Sequence, residues 1–198
     1  MVILGRPCLY ISNFVLSDLL SKFKKLRVLS LKYYYIAGLP DSIGCLRHLR
    51  YLDLSHTTIR TLPESTGSLY NLQVLILRGC LHLMKLPSNI GNLINLHHFD
   101  ITGVVLIKEM PLGMKKLKSL HVLSNFIVGK DSGSHMSDLK NLKFLRGQLC
   151  ISRLDNITDL LDTRQTILFD KQDLEVLMLE WGSQFDDSRD EVTEKKCT

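Results

Sequence analysis

From Leu26 the chain repeats one arrangement of apolar and polar positions. "LRVLSLKYYYIAGLP" is followed by "LRYLDLSHTTIRTLP" from Leu49, "LQVLILRGCLHLMKLP" from Leu72 and "LHHFDITGVVLIKEMP" from Leu96. A shorter relative, "LHVLSNFIVGK", begins at Leu120, and the five starting leucines lie 23, 23, 24 and 24 residues apart. Within each unit Leu29 and Leu31, or Leu52 and Leu54, alternate with polar neighbours, the period of a strand with one face buried. The connecting halves repeat independently. Counted from each proline, the third residue is Ile43, Thr66, Ile90 or Met114, the fourth is Gly44, Gly67 or Gly91, and the sixth is Leu46, Leu69, Leu93 or Leu117. Apolar residues every three positions (Ile43, Leu46, Leu49) predict a short 3₁₀ or irregular helical return. Pro40, Pro63, Pro87 and Pro111 suit the start of such a turn because it needs no N–H there.

One unit of this size cannot bury its own leucines, so neighbours must stack and share a continuous core. The pattern therefore predicts an α/β repeat, a curved leucine-rich-repeat solenoid with parallel strands on its concave face and short helical or irregular returns on its convex face. Of the consensus L-x-x-L-x-L-x-x-N/C-x-L, only Cys80 fills the Asn/Cys position. Tyr34, Thr57 and Val104 occupy it elsewhere, so an incomplete buried hydrogen-bond ladder is expected. The units divide the chain into a leading segment (1–25), regular repeats (26–128), a Gly/Ser-rich polar loop and connector (129–141), irregular repeats (142–182) and a polar acidic tail (183–198), expected to be disordered. After Val128 two registers compete. Leu142 and Leu145 continue the old spacing, whereas Leu149 and Ile151 look more like a strand, and the second alignment is preferred. Residues 159–172 read as more helical than the earlier connectors, and "LEVLMLEW" as a final strand.

Composition changes this picture little. With 198 residues and 45% hydrophobic content the chain can bury a sizeable core. The net charge of +5 is unevenly spread: residues 170–198 hold nine acidic and four basic residues, so the preceding body carries +10. The basic residues are scattered and no aromatic ladder accompanies them, which argues against nucleic-acid binding. Five well-separated cysteines form no C-x-x-C, so neither a zinc site nor a disulfide framework is suggested and a reducing compartment fits. The sequon Asn156-Ile157-Thr158 points the other way, but so short a pattern arises readily by chance. The apolar start lacks a basic n-region and an unbroken membrane-spanning run, so an intracellular, cytoplasmic chain without membrane insertion is expected.

Two stretches look chemical. "LRYLDLSHTTIRTLPES" places Asp53, Ser55 and His56 together, the residue types of a catalytic triad. As part of a strand, however, Asp53 and Ser55 share the concave face with Ser30 and Ile76 beside one and Lys32 and Arg78 beside the other. His56 falls where the strand turns away, next to Tyr33 and Gly79, so a solvent-facing surface is expected and no catalytic role. "HHFD" puts His98 and Asp100 on one face, but their lateral neighbours offer no third ligand for zinc. No metal and no cofactor are expected. Cys80 and Cys150 read as small buried residues. The candidate protein-binding surface is then the concave set Val28, Ser30, Lys32, Tyr33, Tyr51, Asp53, Ser55, His56, Arg78, His98, Asp100 and Thr102.

The wording of the repeats resembles one family. "LRVLSL", "LPDSIGCLRHLRYLDLSHTTIRTLPES", "NLQVLILRGC", "LPSNIGNLINL", "KEMPLGMKKLKSL", "LSNFIVGK" and "LKNLKFLRGQLCISRLDNI" are similar to plant intracellular disease-resistance receptors of the coiled-coil NB-ARC leucine-rich-repeat class. The resemblance runs from about Phe14 through nearly the whole chain. It implies a role in defence, in which the repeats take part in pathogen recognition and hold a nucleotide-binding switch inactive. The partner would be a pathogen effector or the receptor's own nucleotide-binding domain. No G-x-x-x-x-G-K-[ST] occurs, since Gly129-Lys130 is followed by Asp131, so nucleotide binding does not carry over. The chain is expected to be a truncated or partial product lacking the switch domain, with at least one hydrophobic end uncapped. A stand-alone intracellular scaffold for signalling proteins is the alternative.

Overall fold

The computed structural model describes residues 2–3, 10–130, 133–157 and 171–182. The helix expected over 159–172 lies almost entirely outside the described residues, and the tail 183–198 lies wholly outside them. Six short strands, β1 (Val2–Ile3), β2 (Val28–Ser30), β3 (Tyr51–Asp53), β4 (Val74–Ile76), β5 (His98–Asp100) and β6 (Val122–Leu123), form a parallel sheet in chain order. Three more, β7 (Asn125–Ile127), β8 (Gly147–Ser152) and β9 (Leu174–Glu180), form a second parallel sheet. Within each sheet, strands pair only with those of the preceding and following units, which is the one-dimensional stacking that repeat spacing implies. Register is as the aligned sequences require, with Val28, Tyr51, Val74, His98 and Val122 abreast and Leu29, Leu52, Leu75, Phe99 and Leu123 abreast.

β2, β3, β4, β5 and β7 are each followed by a return containing a 3₁₀ turn, at Asp41–Cys45, Glu64–Ser68, Ile90–Asn92, Met114–Lys116 and Met136–Asn141. Pro40 and Pro63 sit just before their turns at φ −71° and −67°. Their carbonyls accept the amides of Ile43 (3.0 Å) and Thr66 (2.9 Å), so proline contributes an acceptor where it has no donor to give. The apolar residues of strand and return meet in one core running through the described repeats, from Leu16 to Leu154. Burial of each such leucine contributes about 2 kcal/mol relative to exposure, and each is covered by equivalents from adjacent units. The glycine after Ile90 has a steric reason: a Cβ on Gly91 would lie 2.5 Å from the Gly113 carbonyl oxygen of the next return. A second lateral tie precedes the opening leucine, where Asn71 and Asn95 donate to the Arg47 (2.8 Å) and Tyr70 (2.7 Å) carbonyls one repeat back.

The leading segment is more structured than its sequence suggested. β1 pairs with β2, and helix α1 (Asn13–Lys22), capped by the Ser12 side chain accepting from the Val15 amide, packs Leu16 and Leu20 into the core. Residues 1–25 thus contain an irregular first repeat, with a true helix where later units have a 3₁₀ turn. The Asn/Cys column is partial, as expected. Thr57 Oγ1 and Cys80 Sγ both donate to the Leu54 carbonyl, at 2.8 and 3.0 Å, whereas buried Val104 has no donor to give.

The later register uses both leucine sets. Leu142 and Leu145 are buried in line with the connector pattern, and Leu149 and Ile151 are buried in β8. Gly147 takes left-handed backbone at φ +73° beside a register shift against β9, where Gly147 pairs with Leu174 and Gln148 with Val176 and Glu175 is the extra residue. The preceding unit departs as well: its buried positions Leu123 and Phe126 are three apart, and Ser124 interrupts the strand between β6 and β7. The connector is tied down rather than loose, since the Ser134 amide and hydroxyl donate to the Met110 (2.8 Å) and Pro111 (2.6 Å) carbonyls. Buried Lys171 donates to the carbonyls of Leu139 and Leu142, at 2.8 and 2.9 Å, closing the end of the Met136–Asn141 turn. The sequon residue Asn156 spends its amide on the Val128 carbonyl at 2.8 Å.

Candidate functional site

The predicted concave residues fall in register on one side of the first sheet, but they do not form one uniform exposed surface. Lys32, Tyr33, His56, Arg78 and Thr102 are exposed, and Val28, Ser30, Tyr51 and His98 are half-buried. Asp53, Ser55 and Asp100 are buried, at 7%, 3% and 5% exposure, which corrects the solvent-facing role expected for the first two. The physical reason is local. Asp53 Oδ1 accepts the Ser55 amide (2.9 Å) and the Ser55 hydroxyl, so the carboxylate folds onto its own strand exit instead of projecting to water. Asp100 and Thr102 repeat the device, with the amide at 2.9 Å and the hydroxyl at 2.6 Å from Asp100 Oδ1. Asp-x-Ser and Asp-x-Thr are Asx-type turn signals, visible in "LDLS" and "FDIT", and they mark structural carboxylates.

His56 is not aimed at Ser55. Its backbone is left-handed at φ 57°, as is that of Tyr33 at φ 66° one repeat earlier. The two rings stack with centroids 4.8 Å apart and planes 9° apart, and Lys32 Nζ lies 4.9 Å from the Tyr33 ring. On the other side is Gly79, where a Cβ would meet His56 Nδ1 at 2.4 Å. The imidazole is therefore held between an aromatic face and a bare backbone. With Ser55 bonded directly to Asp53, the order of a catalytic triad is absent from these three residues.

Charge on the concave face is organised around Asp100. Arg78 Nε lies 3.0 Å from Asp100 Oδ2, bridging neighbouring repeats. Burial pushes the Asp100 carboxyl up, but the Thr102 hydroxyl and amide and the Arg78 guanidinium outweigh it and leave the group below the usual carboxylate range. Tyr51 is raised, by burial first and then by the Asp53 charge beside it. Cys80 is raised chiefly by burial, and burial together with Glu180 pushes the Cys150 thiol up to about 11. Both thiols are therefore protonated at neutral pH. His98 and Asp100 share the face as predicted, but Asp100 is committed to Thr102 and Arg78. Among the described residues no group of three or more His, Cys, Asp or Glu side chains could hold a metal. No helix of the described residues is long and apolar enough to cross a membrane.

Six of the twelve predicted residues line two concavities, and Val28, Ser30, Lys32, Tyr51, Asp53 and Ser55 line neither. Arg78, His98, Asp100 and Thr102 line a concave groove of about 660 Å³, while Tyr33 and His56 line a smaller hollow of about 310 Å³ at the strand exits. The groove also draws on Arg146, Arg153 and Trp181, which were missed because the repeat register after Val128 was uncertain.

Parallel strands stacked in register, 3₁₀ returns and a leucine core define a leucine-rich-repeat solenoid. The chain belongs to the leucine-rich repeat region family, whose model matches residues 9–194. It is 46% identical over 173 residues to a candidate disease resistance protein of Arabidopsis thaliana, covering 87% of this chain and 12% of that relative's length. That similarity, over most of this chain and a small part of the relative, agrees with the resemblance carried by the wording of the repeats. Solved structures share the fold. The plant peptide hormone receptor RGFR1 in complex with RGF2 matches with a TM-score of 0.61 at 24% identity, over 83% of this chain and 26% of that one. The leucine-rich repeat domain of the type III effector XopL matches with a TM-score of 0.51 at 17% identity, over 87% and 73%.

Proposed function

We propose that this chain is a protein-recognition and autoinhibitory segment of a plant immune receptor, acting by binding and without catalysis. Its partner is either a pathogen-derived protein or the receptor's own nucleotide-binding domain. The observation that carries the reading is the set of in-register columns on the concave face. Lys32, Tyr33, His56, Arg78 and Thr102 are displayed to solvent there, while the potentially reactive Asp53 and Ser55 are sequestered in a structural turn. Aromatic, cationic and small side chains on a rigid sheet are the composition of protein-binding surfaces. The +10 charge of the body favours an acidic partner face, and a contact of that kind can hold a switch closed and release it.

The test is binding of the full chain to the nucleotide-binding domain of a matched receptor, measured by calorimetry. Lys32→Glu with Arg78→Glu should weaken binding about tenfold or more and reduce its salt dependence. Unchanged affinity and unchanged salt dependence in that double variant would refute the autoinhibitory contact.

A further inference from the structure

The concave face is not equally receptive along its length. Where Ser124 separates β6 from β7, the unit carries one more residue between its buried positions than its predecessors, and the sheet divides. The groove of about 660 Å³ lies across this division, lined from one side by Arg78 and Asp100 and from the other by Arg146, Arg153, Met178 and Trp181. Its volume falls in the range of sites that enclose a ligand, about 300–1,000 Å³. Three guanidinium groups and two carboxylates line it, and their commitments differ. Arg78 is paired with Asp100, and Glu180 lies beside the Cys150 thiol. Arg146 and Arg153 have no ion pair and no side-chain hydrogen bond among the described residues.

Two further observations mark the place. Trp181 is 73% exposed and Met178 45% exposed, although both are large apolar side chains on the groove wall. Arg153 takes φ +59°, ψ +47°, left-handed backbone that is uncommon for a residue bearing a side chain. Unpaired arginine beside exposed tryptophan and methionine is the composition of a protein-interface anchor, where guanidinium supplies paired donors to a carboxylate and the indole supplies rigid apolar area.

We propose that this groove captures a short segment of another protein that carries an Asp or Glu next to a bulky apolar side chain. Arg146 and Arg153 receive the carboxylate and Trp181 with Met178 receives the apolar group. The assignment rests on the reading of the concave face as a protein-recognition surface, and it names the part of that face and the chemistry it selects.

The experiment is selection of a displayed library of random dodecapeptides on the immobilised full chain, followed by affinity measurement of the enriched peptides. Enriched sequences should share an acidic residue adjacent to Leu, Phe or Trp. Arg146→Glu and, separately, Trp181→Ala should each weaken them about tenfold, with unchanged circular dichroism. Both side chains are exposed, so neither variant should compromise folding. Lack of enrichment over a blank surface, or enrichment without an acidic residue, overturns the proposal. Peptides lost in Lys32→Glu but kept in Arg146→Glu overturn the groove and leave the wider recognition reading standing. The sequence following Gly182 contains Phe185, Asp186 and Asp187. Peptide binding that appears only in the Asp186→Asn, Asp187→Asn variant shows the groove to be held by the chain itself, and that too overturns capture of a separate protein.

Discussion

Replacing Asp53 with Ala should destabilise the solenoid although it removes no core atom. Ser55 is 3% exposed, and its amide has the Asp53 carboxylate at 2.9 Å as its acceptor. The Ser55 hydroxyl can rotate to another acceptor, but the amide cannot. Stranding one buried donor costs about 1–3 kcal/mol. Loss of the charged character of the bond pushes toward the upper end, and relief of burying a carboxylate offsets part of it. About 2 kcal/mol is the balance. In a chain of this length that lowers the thermal midpoint by about 4–8 °C. Asp53→Asn keeps an Oδ1 acceptor in the same place and should lose less than half as much. The assay is urea and thermal unfolding by circular dichroism on wild type, Asp53→Ala, Asp53→Asn and Ser55→Ala. If Asp53→Ala melts within about 1 °C of wild type, the carboxylate does not hold the strand exit and the structural reading of this motif is wrong.

Three other outcomes are expected. Asp100 has a folded-state pKa below its unfolded value, so it stabilises the fold above the ordinary carboxylate pKa and that contribution fades as pH falls through the lower folded value. Unfolding followed from neutral pH down to below about pH 4 should show a stability loss that Asp100→Asn flattens, and parallel curves would contradict it. Gly91→Ala should cost about 1–3 kcal/mol because its Cβ meets a backbone oxygen, whereas Gly38→Ala, with nothing within 4 Å, should be tolerated. Alkylation of the native chain at neutral pH should modify exposed Cys45 and spare Cys80 and Cys150, as peptide mapping would read directly.

The regular repeats were legible because their signal is local and redundant: a leucine every two or three positions and a proline four times over, with a glycine in three of the four. Strand register followed from spacing alone, and so did the lateral neighbours of Asp53 and Ser55. Exposure did not follow. The alternation rule places a side chain on a face, but whether it reaches solvent depends on local hydrogen bonds, and Asp53 spends its oxygens on Ser55. The leading segment was obscured for a different reason. A strand of two residues, Val2–Ile3, carries too little pattern to be recognised without its partner β2. After Val128 two leucine sets looked like alternatives, whereas both are buried: Leu142 and Leu145 keep the connector spacing and Leu149 and Ile151 lie in β8 beyond Gly147, left-handed at φ +73°. The unpaired arginines of the groove lie in that same region.

The strand exits carry a constraint that links one repeat to the next. Tyr33, His56, Gly79 and Gly103 occupy equivalent positions, and all four are left-handed. His56 fits only because Gly79 has no side chain, and a methyl group there would strike the imidazole. Substitutions along this edge are therefore not independent. A bulky residue can be introduced at position 79 only if position 56 shrinks or turns away. Diversification of this rim should appear as compensating changes between positions 23 residues apart, a covariation set by geometry whatever the rim comes to bind.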